Sequence, residues 1–107
     1  MVSTGFNGYP SGITDNESDS REVKLAKTIH AELNAILYSK QDLTGCTLYV
    51  TPIPPCSACA AVIAQSGISK VIVGRKVDLD ISRWDDSINI ALDIFKEKGI
   101  IFLEVFV

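Results

Sequence analysis

His30-Ala31-Glu32-Leu33-Asn34-Ala35-Ile36-Leu37 and Pro55-Cys56-Ser57-Ala58-Cys59 are the two stretches on which the reading of this chain turns. Both look like the openings of helices. In the first, Leu33, Ile36 and Leu37 fall on one stripe at helical spacing. In the second, a proline suits helix entry, and Ala60, Val62, Ile63 and Ala64 continue an apolar pattern as far as Gly67. Cys56 and Cys59, three apart, share one helix face. His30 and Glu32 are two apart, and in a regular helix such positions point roughly 200° apart around the axis. Both could serve one ion only if His30 sits at or just before the helix start, so the spacing predicts a helix that begins at about Ala31.

One imidazole and two thiols are good ligands for a borderline-soft divalent metal such as zinc. A catalytic zinc site takes three protein ligands and leaves a fourth position for water, whereas a structural site closes with four. The chain has a single histidine, and its third cysteine is Cys46. His30, Cys56 and Cys59 plus water is therefore the simplest complete site. Zinc lowers the pKa of bound water from ~16 toward ~7. Glu32 is placed to be the general acid/base. Thiols in the first turn of a helix feel the positive end of its dipole, which favours the thiolate that zinc requires. Two helix N-termini converging on one ion would account for both half-motifs. A lone Cys-x-x-Cys would suit a redox pair or half a zinc knuckle equally well. Cys46, at the start of a β-rich run, is expected to be a small buried hydrophobe.

At 107 residues, 47% of them hydrophobic, the chain is expected to be a single globular domain, 1–107. No apolar run approaches the ~20 residues that span a bilayer, and no secretory signal opens the sequence. Two of three cysteines engaged by metal imply a reducing, cytoplasmic setting rather than a disulfide scaffold. A net charge of −3 argues against a polynucleotide partner. A local cation for one phosphate remains compatible, with Arg21, Lys24 and Lys27 as candidates, although a solvated charged face explains most of them.

Taken in order, Val2–Phe6 reads as a short strand, ended by the turn-forming Asn7-Gly8-Tyr9-Pro10-Ser11-Gly12. Residues 13–20 form a polar loop, and Arg21–Ile29 could form a helical turn. The helix from Ala31 runs to about Lys40. Cys46–Thr51 alternates as a strand, and Pro52-Ile53-Pro54-Pro55 cannot continue a ladder, so it forms a stiff wall. Val71–Val73 is a buried strand, and residues 75–84 are irregular. Asp85, Asp86 and Ser87 offer caps to a helix from Ile88 to about Lys98, closed by Gly99, and Ile100–Val107 is a last strand. Alternating strands and helices imply an α/β layered fold, a mostly parallel sheet flanked by helices.

His-x-Glu followed by Pro-Cys-x-x-Cys is the pattern of zinc-dependent nucleobase deaminases. With Gly5-Phe6-Asn7-Gly8-Tyr9-Pro10-Ser11-Gly12, the His30–Leu37 stretch, Tyr49-Val50-Thr51, Ile63–Ile68 and Trp84-Asp85-Asp86, the chain resembles the deoxycytidylate (dCMP) deaminases of the cytidine deaminase superfamily over nearly its whole length. The resemblance implies a cytidine deaminase-like fold, zinc held by His30, Cys56 and Cys59, and hydrolysis of dCMP at C4 to dUMP and ammonia. It implies that Asn7, the Ala31 backbone and Pro54 hold the nucleotide, and that the protein is a homo-oligomer. Gly8, Tyr9 and Pro10 would belong to a loop that takes dCTP and dTTP as effectors. Relatives usually begin with a further helix and strand before the segment matching Val2–Phe6, so a shortened chain, or an open sheet position paired with another subunit, is expected. Two alternatives stand beside dCMP: another cytosine nucleoside, base or tRNA substrate, or a zinc-stabilised module without catalysis.

Overall fold

A strand–helix–strand–helix–strand run builds the second half of the chain. The structure, a computed structural model, describes residues 2–14, 16–76 and 78–106. Its chain divides into two compact units, Met1–Lys40 and Gln41–Val107.

The second unit holds a parallel sheet of β1 (Thr47–Val50), β2 (Lys70–Arg75) and β3 (Ile101–Phe106), in spatial order β1-β2-β3. Parallel neighbours need a crossover, and α3 (Ser57–Ser66) and α4 (Asp85–Lys98) supply it. The register sets Leu48, Val71 and Phe102 in one row and Val50, Val73 and Glu104 in another on the same face. Val71 and Val73 are fully buried with Cys59, Ala60 and Ile63 of α3 and Ala91 and Phe95 of α4. Phe95 stacks on Phe102 with ring centroids 5.8 Å apart. Phe95→Ala should lower unfolding stability by about 3–5 kcal/mol, the usual cost of truncating a buried aromatic, read from denaturant unfolding. The opposite face carries Tyr49, Ile101, Leu103 and Val105, all exposed.

Gly67 and Gly99 end α3 and α4 in the left-handed conformation, as the sequence leads one to expect. The start of α4 differs from expectation. A single 3₁₀ turn, Ser82–Trp84, leads straight into a helix that begins at Asp85, not Ile88. Asp85 and Asp86 sit inside the first turn, where their charge complements the helix dipole, rather than before it as caps. Arg75 belongs to β2 and pairs with Glu104 of β3 at 3.3 Å. Cys46 is half-buried, not buried, and stands one residue before the start of β1.

The first unit contains α1 (Arg21–Lys27) and α2 (Ala31–Ser39). Val2–Phe6 is not a strand, which corrects the expectation. A strand needs a ladder partner, and within this unit the described residues offer a single β-type contact, the antiparallel bridge between Gly8 and Ile29. The segment is held instead by α2: the Phe6 carbonyl accepts from Asn34 Nδ2 at 2.8 Å. Gly5 lies so close to α2 that a Cβ there would collide with the Ala31 carbonyl oxygen and the Ala35 nitrogen. The apolar stripe expected on α2 is only partly covered: Leu33 and Ile36 are half-buried, whereas Leu37 is exposed.

Candidate active site

The helix boundary deduced from the His30–Glu32 spacing is the one observed. α2 begins at Ala31, and His30 is its N-cap residue, with extended backbone (φ −65°, ψ 151°). The imidazole thus leaves the chain before the helical twist begins, and Glu32 stands half-buried in the first turn. The N-terminus of a helix favours a carboxylate by about 0.3–1 kcal/mol. Ile29, just before the ligand, exchanges two backbone hydrogen bonds with Gly8, at 3.1 and 2.8 Å. Asn7 Oδ1 accepts the Ala31 N–H at 2.7 Å. The loop around Asn7 is therefore stitched to the backbone on both sides of His30.

The cysteine half repeats this design. Cys56 is the N-cap residue of α3, again extended (φ −73°, ψ 171°), and Cys59 lies one turn in. Cys59 is fully buried, whereas Cys56 is half-buried. Pro54 and Pro55 are buried, so the stiff wall expected from their sequence leads directly into the ligand helix. Ser57, the first residue of α3, donates its N–H to Ser87 Oγ of α4 at 2.9 Å. Nothing in the sequence pattern marks Ser87 for this role, since by local pattern it reads as a cap for its own helix.

His30 at the start of α2 and Cys56 and Cys59 at the start of α3 each offer one ligand atom to a metal ion. One nitrogen and two sulfurs are a donor set that fits zinc, and three protein ligands are the number found in catalytic zinc sites. The Asn7 loop is also anchored further along. Tyr9 donates its hydroxyl to Asp19 at 3.1 Å, and Lys27 pairs with the same carboxylate oxygen at 3.2 Å. Of the three cations considered for a phosphate, Lys27 is thereby engaged within its own unit. Gly8 and Tyr9 are half-buried and Pro10 is exposed.

The description "cytidine and deoxycytidylate deaminase zinc-binding region" belongs to the family whose model matches residues 1–75, a span containing Asn7, His30, Glu32, Cys56 and Cys59. A protein of Aliivibrio fischeri, described as an uncharacterized deaminase in the luxG 3′ region, is 48% identical over 101 residues, covering 94% of this chain and 68% of that protein. The deoxycytidylate deaminase of Enterobacteria phage T4 is 39% identical over 85 residues, covering 76% of this chain and 44% of the phage protein. The human deoxycytidylate deaminase is 38% identical over 80 residues, 67% of this chain and 44% of its own length. The chain thus spans less than half the length of these two deoxycytidylate deaminases. Among solved structures, the dCMP deaminase of cyanophage S-TIM5 in apo form aligns with a TM-score of 0.68 at 25% identity, over 97% of this chain and 71% of that one.

Proposed function

We propose, for a chain that belongs to the cytidine and deoxycytidylate deaminase zinc-binding family, that it catalyses the hydrolytic deamination of dCMP to dUMP and ammonia as one zinc-dependent domain. The observation that carries this reading is the coincidence, within the span matched by the family model, of the His30, Cys56 and Cys59 donor set with a carboxylate in the first turn after the histidine. When bound, zinc supplies Lewis-acid activation of water at neutral pH. Glu32 has the protein's part in the proton traffic. It takes a proton as the water oxygen bonds to C4 of the cytosine ring and delivers it to the ring nitrogen. Glu32 then takes the remaining proton from the hydroxyl now on C4 and passes it to the exocyclic amine, so that the C4 carbonyl forms as the C4–N bond breaks and ammonia leaves. Pro54, the Ala31 backbone and Asn7, whose Oδ1 accepts the Ala31 N–H, hold the nucleotide in this reading. The choice of dCMP rests on the named relatives and on the asparagine loop.

Several finer features go with this reading: a homo-oligomer, a cytoplasmic setting, and dCTP or dTTP acting through Gly8, Tyr9 and Pro10. Among the described residues no helix is long and apolar enough to cross a membrane. Turnover of dCMP, CMP, deoxycytidine and a tRNA, measured side by side with zinc-loaded protein, tests the substrate. The expected result is a kcat/KM for dCMP at least about 100-fold above that for deoxycytidine, since charged phosphate contacts are each worth about 1.5–3 kcal/mol. Turnover confined to an unphosphorylated compound would overturn the choice.

A further inference from the structure

We infer that Ser87 and Asn7 are positioning residues that fix the helix N-termini from which the metal ligands reach out, and so set zinc affinity. The inference rests on the zinc site of the reading above. In an ordinary helix the N-cap side chain accepts one of the orphan N–H groups of the first turn. α1 does this: Ser20 accepts the Val23 N–H at 3.2 Å. In α2 and α3 the N-cap positions belong to His30 and Cys56, and neither side chain caps its own helix. For His30 the chemistry gives a reason, because an imidazole nitrogen has a single lone pair and, once given to a metal, it cannot also accept a helix N–H.

Both helices meet the need in the same way, with an acceptor from another segment. Asn7 Oδ1 takes the Ala31 N–H at 2.7 Å, and Ser87 Oγ takes the Ser57 N–H at 2.9 Å. Each borrowed cap is itself held. The Ser87 hydroxyl donates to Ser57 Oγ at 3.2 Å, which turns its lone pairs toward the Ser57 N–H. Asn34 Nδ2 donates to the Phe6 carbonyl at 2.8 Å, which ties the residue before Asn7 to α2. Ser87 lies on α4, next to the buried Ile88 and one turn before the buried Ala91. Core packing is thereby coupled to the position of Cys56. Groups that orient metal ligands from outside typically change metal affinity 10–100-fold when removed.

Zinc affinity measured by competition with a chromophoric chelator tests this without reference to turnover. Ser87→Ala should weaken zinc about tenfold or more, and Ser87→Thr, which keeps the hydroxyl, should restore it to within about threefold. Asn7→Ala should weaken zinc similarly, with Asn7→Asp restoring it, since aspartate keeps the acceptor and suits a helix N-terminus. Ser20→Ala is the control: it removes a cap from a helix without metal ligands, so the melting temperature falls and zinc affinity stays at the wild-type value. Zinc affinity unchanged in Ser87→Ala, or lost equally in Ser20→Ala, overturns the inference. Should Ser87→Ala fail to fold, the Asn7 pair decides by the same criterion. Wild-type protein that binds zinc yet deaminates no cytosine compound would sink the proposed reaction and leave this inference standing.

Discussion

Glu32→Gln is expected to fold, to hold zinc as tightly as the wild type, and to lose about 10³-fold in kcat for dCMP. General acid–base groups typically contribute 10²–10⁴-fold. The position here serves both transfers in the proposed reaction, and a loss of about 10³-fold lies in the middle of that range. The amide is nearly isosteric, so packing in the first turn of α2 is kept. What the fold loses is a negative charge at a helix N-terminus, worth about 0.3–1 kcal/mol. Glutamine can still donate and accept hydrogen bonds, so substrate can still be held, but it cannot take a proton from water at neutral pH. The effect should therefore fall on kcat with KM changed by no more than a few-fold. Single-turnover rates, chelator competition for zinc and a melting curve on the same preparation separate these quantities. A kcat within tenfold of the wild type would remove Glu32 from the chemistry. Loss of zinc along with activity would mean that the carboxylate supports the site rather than the reaction.

What a single sequence reveals of this fold and site, and what it hides, follows from one distinction. The start of α2 at Ala31 is legible because a geometric constraint, two side chains two residues apart serving one ion, leaves a single solution. Gly67 and Gly99 are legible because a left-handed residue after a helix selects glycine. Val2–Phe6 misleads because strand identity depends on a partner, and alternation in five residues says nothing about what stands beside them. The start of α4 misleads for a related reason. Asp85, Asp86 and Ser87 are all good cap residues, and local pattern cannot tell that the hydroxyl of Ser87 is spent on α3. The family resemblance marks Asn7 for the nucleotide, and nothing in the sequence tells that its Oδ1 also accepts the Ala31 N–H. Contacts between residues distant in the chain (7 with 31, 57 with 87) leave no periodic trace in a single sequence. They are where the supporting structure of the site is hidden.

Cys59→Ala should abolish stoichiometric zinc binding under chelator competition and reduce dCMP turnover to background, while the metal-free protein loses only about 1 kcal/mol of stability. The two effects differ because the thiol has two separable jobs. Cys59 is fully buried beside Ala60 and Ile63 in α3, so its sulfur fills space like a small hydrophobe. Replacing one buried heavy atom by nothing costs about as much as removing a methyl group, roughly 0.5–1.5 kcal/mol. Serine would be the poorer probe, since it puts a hydroxyl in place of the buried sulfur and so changes polarity as well as ligation. Ligation is lost outright in either case, because the donor set falls to one nitrogen and one sulfur, and Cys46 lies outside the group that could hold the ion. Cys46→Ala is accordingly the matched control, removing a half-buried thiol with zinc content and turnover kept. Zinc binding is also folding free energy wherever the ligands are brought together only in the native state. The wild-type melting temperature should therefore rise with zinc, and that of Cys59→Ala should not. Retention of one tightly held zinc per chain in Cys59→Ala would show that the metal is bound elsewhere, and the assignment of His30, Cys56 and Cys59 as its ligands would fall with it.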